Sequence, residues 1–363
     1  MAMQPQRKKG GETLPLERLK TILLVQLGDI GDVVYSFSCA RALKETMPKA
    51  QIVMAVRQKA AGLVEGCQWA DGVIVVDGKP RGVWGTLAYQ WKFWRAVRRY
   101  HFDLAIDLRT GTRGAVLAFL SGAPFRLAPY ALDGTLWRNR LFTHLVAPSG
   151  KQGQFIVEHY LEILTPYGIQ TEQVIPEISV SPARLTEVER LLAVYGLGRW
   201  DKVIAVQPFS LWGYKEWKKS KLATLIRRVH EDYGLPVLIV GGPDERERAD
   251  EIAALAGEGV FNLAGQTSIA LLPPLLKECC LFIGVDSAGL HIAASVGTPT
   301  IGLYGPSGFA TWAPRGEKHM VVHKAFPCVP CHRKGCEDSL KSRCMDELDV
   351  DEVYSAVRNQ LTG

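Results

Sequence analysis

No run of about eighteen apolar residues occurs anywhere in the chain, so nothing in it reads as a membrane-spanning helix. The N-terminus lacks the apolar core and small-residue cleavage site of a secretory signal. Met1 to Leu19 is polar, with Arg7-Lys8-Lys9 ahead of Gly10-Gly11. That predicts a mobile arm over residues 1–19 and, by default, a cytoplasmic location. A Gly-x-Gly-x-x-Gly turn is missing, which argues against a nicotinamide-dependent oxidoreductase. Short-period repeats and low-complexity tracts are also lacking. The formal net charge is only +6, too small to argue for nucleic acid as a partner. Acidic residues are scarce in one region. Between Lys79 and Arg140 stand Lys79, Arg81, Lys92, Arg95, Arg98, Arg99, Arg109, Arg113, Arg126, Arg138 and Arg140, against Asp103, Asp107 and Asp133 alone. Such a surplus implies an anionic partner or surface.

What is present suffices for two α/β domains. The chain has 363 residues, 47% of them apolar. Thr21–Leu27, Gln51–Val56, Gly72–Val76, Leu104–Leu108 and a short Phe125–Ala128 read as buried strands. Val33–Thr46, Trp84–Tyr100 and Phe155–Tyr167 read as helices between and after them. Thr171–Thr186 is a polar, proline-bearing linker. Alternation then restarts: helix 185–195, strand 203–206, helix 221–233, strand 236–240, and helices 244–255 and 269–279. Strand–helix alternation of this kind predicts two doubly wound parallel sheets with a cleft between them. The boundaries expected are 20–178 and 179–346, with 347–363 as a closing helix free to pack back on the first domain.

The stretch Leu281 to Pro306 organises the second half. Leu281–Val285 is a buried strand, Asp286-Ser287-Ala288-Gly289 a turn of small residues, and Leu290–Ser295 a short helix closed by Gly297 and Pro299. Thr300–Leu303 is the next strand. Backbone N–H groups at such a turn suit a phosphate, although an ordinary α/β turn looks the same.

Three further turns carry candidate chemistry. Gly28-Asp29-Ile30-Gly31-Asp32 opens the first helix, and Asp32 is either its N-cap or a general base. In the loop Gln207 to Ser220, Lys215 lies between Tyr214 and Trp217. It is suited to neutralising a leaving phosphate, or is one more solvated lysine. In Val240-Gly-Gly-Pro-Asp-Glu245, Glu245 reads as a ribose contact or as a favourable acid in a first helical turn.

Taken in order, these blocks resemble the ADP-heptose:lipopolysaccharide heptosyltransferases, inverting glycosyltransferases of family 9 with the GT-B fold. The similarity rests on Leu27-Gly-Asp-Ile-Gly-Asp-Val33, the loop Pro208 to Trp217, and Val285 to His291 through Leu303-Tyr-Gly-Pro306. Asp103 to Leu108, Asn262 to Ser268 and the Cys-Val-Pro-Cys block support it. The resemblance implies two Rossmann-like domains facing a central cleft. It implies Asp32 as general base and Lys215 as the group stabilising departing ADP. The donor would be held by Ser210, Gly242, Glu245, Leu263, Asp286, Ser287, Ala288, Gly289 and His291. Asp29, Arg109 and Arg113 would meet an anionic lipopolysaccharide-core acceptor. The donor implied is ADP-L-glycero-D-manno-heptose, with no cofactor and no catalytic metal. Other readings are a different nucleotide-sugar, a sugar-nucleotide epimerase, or a binding protein without turnover.

This chain departs from the family's usual pattern at Phe209, where glycine is usual, and at Gln26, Ala288 and Lys218, where arginine, glycine and proline are common. Asp29 adds a second carboxylate beside Asp32. Cys328, Cys331, Cys336 and Cys344 are spaced for a structural zinc site or stand as free thiols. Cys39, Cys67, Cys279 and Cys280 read as buried thiols. The segment Trp84 to Tyr100, aromatic and basic by turns from Trp91 onward, suits the acceptor or an inner-membrane surface, or an amphipathic helix seating its rings on the sheet.

Overall fold

The computed structural model describes residues 13–76, 91, 93–132, 137–198 and 202–362. It divides into two units between Pro176 and Glu177, two residues before the boundary read from the sequence. Most of the expected N-terminal arm, with Lys79, Arg81, Lys92 and residues 84–90 of the expected helix, lies outside the described residues.

The first unit has strands β1 (Thr21–Gln26), β2 (Gln51–Val56), β3 (Gly72–Val75), β4 (Leu104–Asp107), β5 (Phe125–Pro129) and β6 (His144–Val146). All pair in parallel, in the order β3-β2-β1-β4-β5-β6. Ile22 of β1 pairs with Ile52 on one side and Leu104 on the other. These strands are near-continuous apolar runs because helices cover both faces of the sheet. The principal helices are α1 (Ile30–Thr46), α2 (Gln58–Val64), α3 (Thr112–Leu120) and α4 (Ile156–Leu161). Helix α1 has no polar stripe: Val33, Val34, Tyr35, Phe37, Ala40 and Leu43 are all buried, and Tyr35 meets Phe155 edge-on at 5.5 Å. It is sandwiched between the sheet and α4.

The second unit repeats the plan with β7 (Val203–Gln207), β8 (Val237–Ile239), β9 (Val260–Asn262), β10 (Cys279–Val285), β11 (Thr300–Tyr304) and β12 (His319–His323). The order β12-β11-β10-β7-β8-β9 is the first unit's order read from the other edge. Its main helices are α5 (Pro182–Ala193), α6 (Lys219–Tyr233), α7 (Arg246–Ala256), α8 (Leu272–Glu278), α9 (Ala288–Ser295) and α10 (Val350–Thr362). Ser181 caps α5 and Pro182 opens it, so the expected linker ends earlier than its composition suggested. The two doubly wound parallel sheets are the α/β architecture expected.

One expectation changes. Helix α1 begins at Ile30 rather than Val33, because Asp29 is its N-cap. The closing helix belongs to the second unit: Val353, Tyr354, Ala356 and Val357 join that unit's core, where α10 packs on α6 and β12. Its apolar face is thereby used within that unit. Helices α2 and α3 and the edge strands β6, β9 and β12 went unpredicted. The first two of those strands are three residues long, and all three are largely half-buried, so they carry no apolar run. Among the described residues no helix is long and apolar enough to cross a membrane.

Leu348 ties the second core together. Its side chain is fully buried, and its carbonyl accepts hydrogen bonds from Trp217 Nε1 (3.0 Å) and Lys221 Nζ (2.8 Å). Leu348→Ala should destabilise the second unit by about 2–5 kcal/mol. Urea unfolding should show this as a lower midpoint with an unchanged slope. A variant melting like wild type would mean that the site collapses without a cavity.

Candidate functional site

In each sheet the strand order reverses beside the first strand, between β1 and β4 and between β7 and β10. Connections leave in opposite directions there, opening a crevice at the carboxyl ends of the strands. The candidate residues sort onto these two places.

In the first unit, β1 ends at Gln26 and Asp29 begins α1. The Asp29 N–H donates to Asp32 Oδ2 at 2.8 Å, the reciprocal bond of a capping box. Asp32 Oδ2 also accepts from Arg109 Nη1 (2.7 Å), and Oδ1 accepts from the Tyr160 hydroxyl of α4 (2.7 Å). Asp32 is buried, whereas the Arg109 side chain is 45% exposed, so the carboxylate is reached past the guanidinium. Burial first, then the charge of Asp32, pushes the Tyr160 phenol well above its usual range, so it serves as a neutral donor. The neighbouring Asp29 points elsewhere, to Lys59 Nζ at 2.5 Å and Arg57 at 3.8 Å. Burial would raise the Asp29 carboxyl, but Lys59, Arg57 and Arg109 hold it below the usual range. The two carboxylates therefore have separate partners.

Arg109 is fixed from behind. Its N–H donates to Asp107 Oδ1 (3.2 Å), and its carbonyl accepts from Arg138 Nη2 (2.5 Å). Arg138 is fully buried, donates to the Pro129 carbonyl at 2.8 Å, and lies 3.5 Å from Asp107. Burial pushes the Asp107 carboxyl up to about 7 against the pull of Arg138. Space is tight here. A Cβ on Gly114 would lie 2.5 Å from the Asp107 carboxylate, and one on Gly28 would lie 2.3 Å from both Arg109 Nη1 and Asp32 Oδ2. Arg113 stands exposed in the first turn of α3.

In the second unit, Lys215 ends the turn Gly213–Lys215 and places Nζ 2.6 Å from Asp286 Oδ2. His291 Nε2 lies 3.8 Å from the other oxygen. Burial would raise the Asp286 carboxyl. Lys215 and His291, with hydrogen bonds from Lys215 and Ser307, outweigh it and hold the group below its usual range. Ser287 is the N-cap of α9, whose first N–H groups have no intrahelical partner. That of Gly289 donates to Gln207 Oε1 at 2.9 Å, leaving Ser287 and Ala288 to present theirs at the helix start. A Cβ on Gly289 would lie 2.0 Å from that oxygen, so a side chain there would have to displace the Gln207 amide.

The loop bearing Lys215 is fastened at several points. The Ser210 hydroxyl donates to the Asp286 carbonyl (3.4 Å), and the Ser210 N–H donates to Glu216 Oε1 (3.1 Å). Glu216 is ion-paired with Arg248 of α7, whose guanidinium lies 4.5 Å from the centre of the buried Phe209 ring. Nearby, Gly265 N–H donates to the Gly241 carbonyl at 2.9 Å, joining the turns after β8 and β9. Glu245 folds back so that Oε2 accepts the Gly242 N–H at 2.6 Å, and burial raises its carboxyl above the usual range despite that bond. Glu245 thus caps its own turn. Leu263 is fully buried in the same region.

The sequence matches glycosyltransferase family 9 (heptosyltransferase) over residues 90–341. The chain belongs to this family. It is a glycosyltransferase, and that sets aside the epimerase, oxidoreductase and non-enzymatic readings. A curated relative is lipopolysaccharide heptosyltransferase 3 of Escherichia coli, 29% identical over 289 residues that cover 78% of this chain and 83% of that protein. Among solved structures, a family 9 glycosyltransferase from Veillonella parvula superposes with a TM-score of 0.82 at 20% identity, covering 96% of this chain and 99% of that one. E. coli ADP-heptose lps heptosyltransferase II superposes at 0.77 with 19% identity, covering 94% and 98%. These likenesses confirm the GT-B fold class.

Within this family 9 chain, two groups that the sequence reading passed over matter to the geometry. Tyr160 approaches Asp32 from 128 positions away, and Arg138 lies behind Arg109 from 29 positions away. Neither has a local signal, although Arg138 belongs to the basic surplus. Cys328, Cys331, Cys336 and Cys344 stand as free thiols, one of the two readings of their spacing. Among the described residues no three of His, Cys, Asp or Glu gather to hold a metal ion. Cys328 and Cys336 are exposed, while Cys344 is buried and its thiol is pushed up to about 11 by that burial.

Gly28→Ala tests whether the Asp32–Arg109 pair matters to turnover. The added methyl group forces the pair apart, and transfer should fall about 10²-fold or more with an unchanged circular dichroism spectrum. Wild-type turnover in a folded Gly28→Ala variant would separate the pair from the chemistry.

Proposed function

We propose that this glycosyltransferase moves a heptose from ADP-L-glycero-D-manno-heptose to the inner core of lipopolysaccharide, with inversion at the anomeric carbon. The observation that carries the reading is the Lys215–Asp286–His291 cluster at the start of α9. It puts a cation and free helix N–H groups where a diphosphate would lose its sugar. Support for the donor and acceptor comes from relatives whose names specify ADP-heptose and lipopolysaccharide.

The second unit would hold the donor, with Asp286 and His291 toward the sugar and the N–H groups of Ser287 and Ala288 toward the phosphates. The turns joined by Gly241 and Gly265 would enclose the base. The first unit would supply the base catalyst. Asp32 takes the proton of the acceptor hydroxyl, the oxygen attacks the anomeric carbon from the face opposite the nucleotide, and the carbon–oxygen bond to ADP breaks. Lys215 meets the charge that develops on ADP, so the scheme uses no metal. Arg109 and Arg113 add positive charge for an anionic acceptor. Tyr160 and Arg109 fix the Asp32 carboxylate, and the separate pairing of Asp29 with Lys59 favours Asp32 as the base.

Two substitutions divide these roles. Asp32→Asn should reduce kcat by about 10²–10⁴-fold with donor affinity nearly intact. Lys215→Ala should reduce it roughly 10²-fold or more. Steady-state kinetics with both substrates checks this. Inactivity of Asp29→Asn beside an active Asp32→Asn would move the base to Asp29.

Donor class is read separately by thermal shift with ADP, UDP, GDP, CMP and NAD. ADP should raise the melting temperature and the others much less. A ligand at about one hundred times its dissociation constant adds roughly 2.7 kcal/mol. A shift from UDP with none from ADP would keep the fold and the family but replace the donor with another nucleotide-sugar.

A further inference from the structure

We infer that the first unit carries a docking face for an anionic lipid bilayer, built from Trp91, Trp94, Arg95, Arg98 and Arg99 beside Phe119. Residues 93–98 are helical. One side of this helix is already used: Val97 is fully buried, and Phe93 and Tyr100 pack against the core of the unit. These residues, and not the tryptophans, seat the segment on the sheet. Trp91 is 54% exposed and Trp94 37%. Arg95, Arg98 and Arg99 are exposed with them. The Arg95 guanidinium lies 4.6 Å from the centre of the Trp91 ring, and that of Arg98 lies 5.6 Å from Trp94. Among the described residues none of these three arginines has an ion-pair partner.

The patch continues onto a second element. Arg98 reaches the end of α3, where a Cβ on Gly122 would lie 1.9 Å from its Nη1. Phe119, one turn earlier in α3, is 51% exposed. Arg126 covers part of that ring at 5.7 Å, but its own N–H groups are held by the carbonyls of Leu141 and Ala123.

Exposed indole rings paired with unneutralised guanidinium groups fit one environment well. Indoles settle at headgroup depth, and arginines meet the phosphates just outside. Charge complementarity names the occupant. Arg95, Arg98 and Arg99, exposed together without an ion-pair partner among the described residues, call for an anionic surface, and the rings beside them call for one with an apolar layer beneath it. A soluble polyanion would satisfy the first requirement and leave Trp91, Trp94 and Phe119 in water.

Vesicle flotation of the full chain tests this without turnover, so its outcome is independent of the donor and acceptor proposed above. Wild type should float with vesicles of phosphatidylcholine and phosphatidylglycerol in equal parts, less so at high salt, and stay behind with phosphatidylcholine alone. The pair Trp91→Ala and Trp94→Ala, and the pair Arg95→Glu and Arg99→Glu, should each lower the partition coefficient roughly tenfold or more. Arg99→Glu alone, at an exposed position, should lower it severalfold and guards against loss of fold in the double variants, which circular dichroism checks. Equal flotation of wild type and folded variants, equal binding to neutral vesicles, or no binding at all would overturn the inference.

Discussion

A carboxylate buried at the end of a parallel strand is costly unless a cation stands beside it. Both units of this protein are arranged around that requirement. In the first, Asp32 comes from the turn after β1, and its cation, Arg109, follows β4. In the second the origins are exchanged: Asp286 follows β10, the counterpart of β4, and Lys215 lies in the loop after β7, the counterpart of β1. One topology thus places an acid–cation pair at the same reversal of strand order twice, with opposite provenance. The rest of each site supports the pair. Tyr160 and the Asp29 N–H complete the shell of one carboxylate; His291 and Ser307 complete the other. Removing the charge of one partner would leave the other uncompensated, which is costly in a buried pair.

Much of this was legible from the chain itself, for a definite reason. Parallel strands covered on both faces are short apolar runs, and small-residue turns mark their ends, so β1, β2, β4, β7, β10 and β11 stand out. Asp286 falls directly after such a run, and Asp32 and Lys215 lie in the segments that follow two others. Edge strands such as β6, with only three residues, give no comparable pattern. The position of Asp29 as N-cap was hidden because two glycines around it suggest a turn, while the dihedral angles that make Ile30 helical depend on the capping box. Tyr160 and Arg138 were invisible in a stronger sense. Each reaches its partner through tertiary packing from far along the chain, and nothing local distinguishes Tyr160 from any other buried helical tyrosine.

Phe209 shows how a departure from the family's usual sequence is accommodated. A ring stands where glycine is usual, immediately before Ser210 in the lysine loop. It is fully buried beneath the Arg248 guanidinium, and Arg248 in turn holds Glu216, whose other oxygen receives the Ser210 N–H. The loop is therefore braced against α7 by a stacked cation and an ion pair. Trp217 braces it again through the Leu348 carbonyl. A loop fastened at both flanks of Lys215 loses less side-chain freedom when a ligand arrives, which is where preorganisation adds to affinity.

The glycines at the two acid sites bear on how such a protein can diverge. A methyl group on Gly28 would displace the Arg109 and Asp32 tips, and one on Gly289 would displace the Gln207 amide that holds the Gly289 N–H. Substitution at these points therefore moves the pair itself, because even the smallest step displaces the side chains that form the site. Variation has to enter through positions with slack, such as the open flank of Arg113 or the ring at 209. Lineages of this fold would then keep a fixed chemical anchor while acceptor and donor preferences drift around it, and a ligand that touches only the anchored atoms would leave the protein few one-step routes of escape.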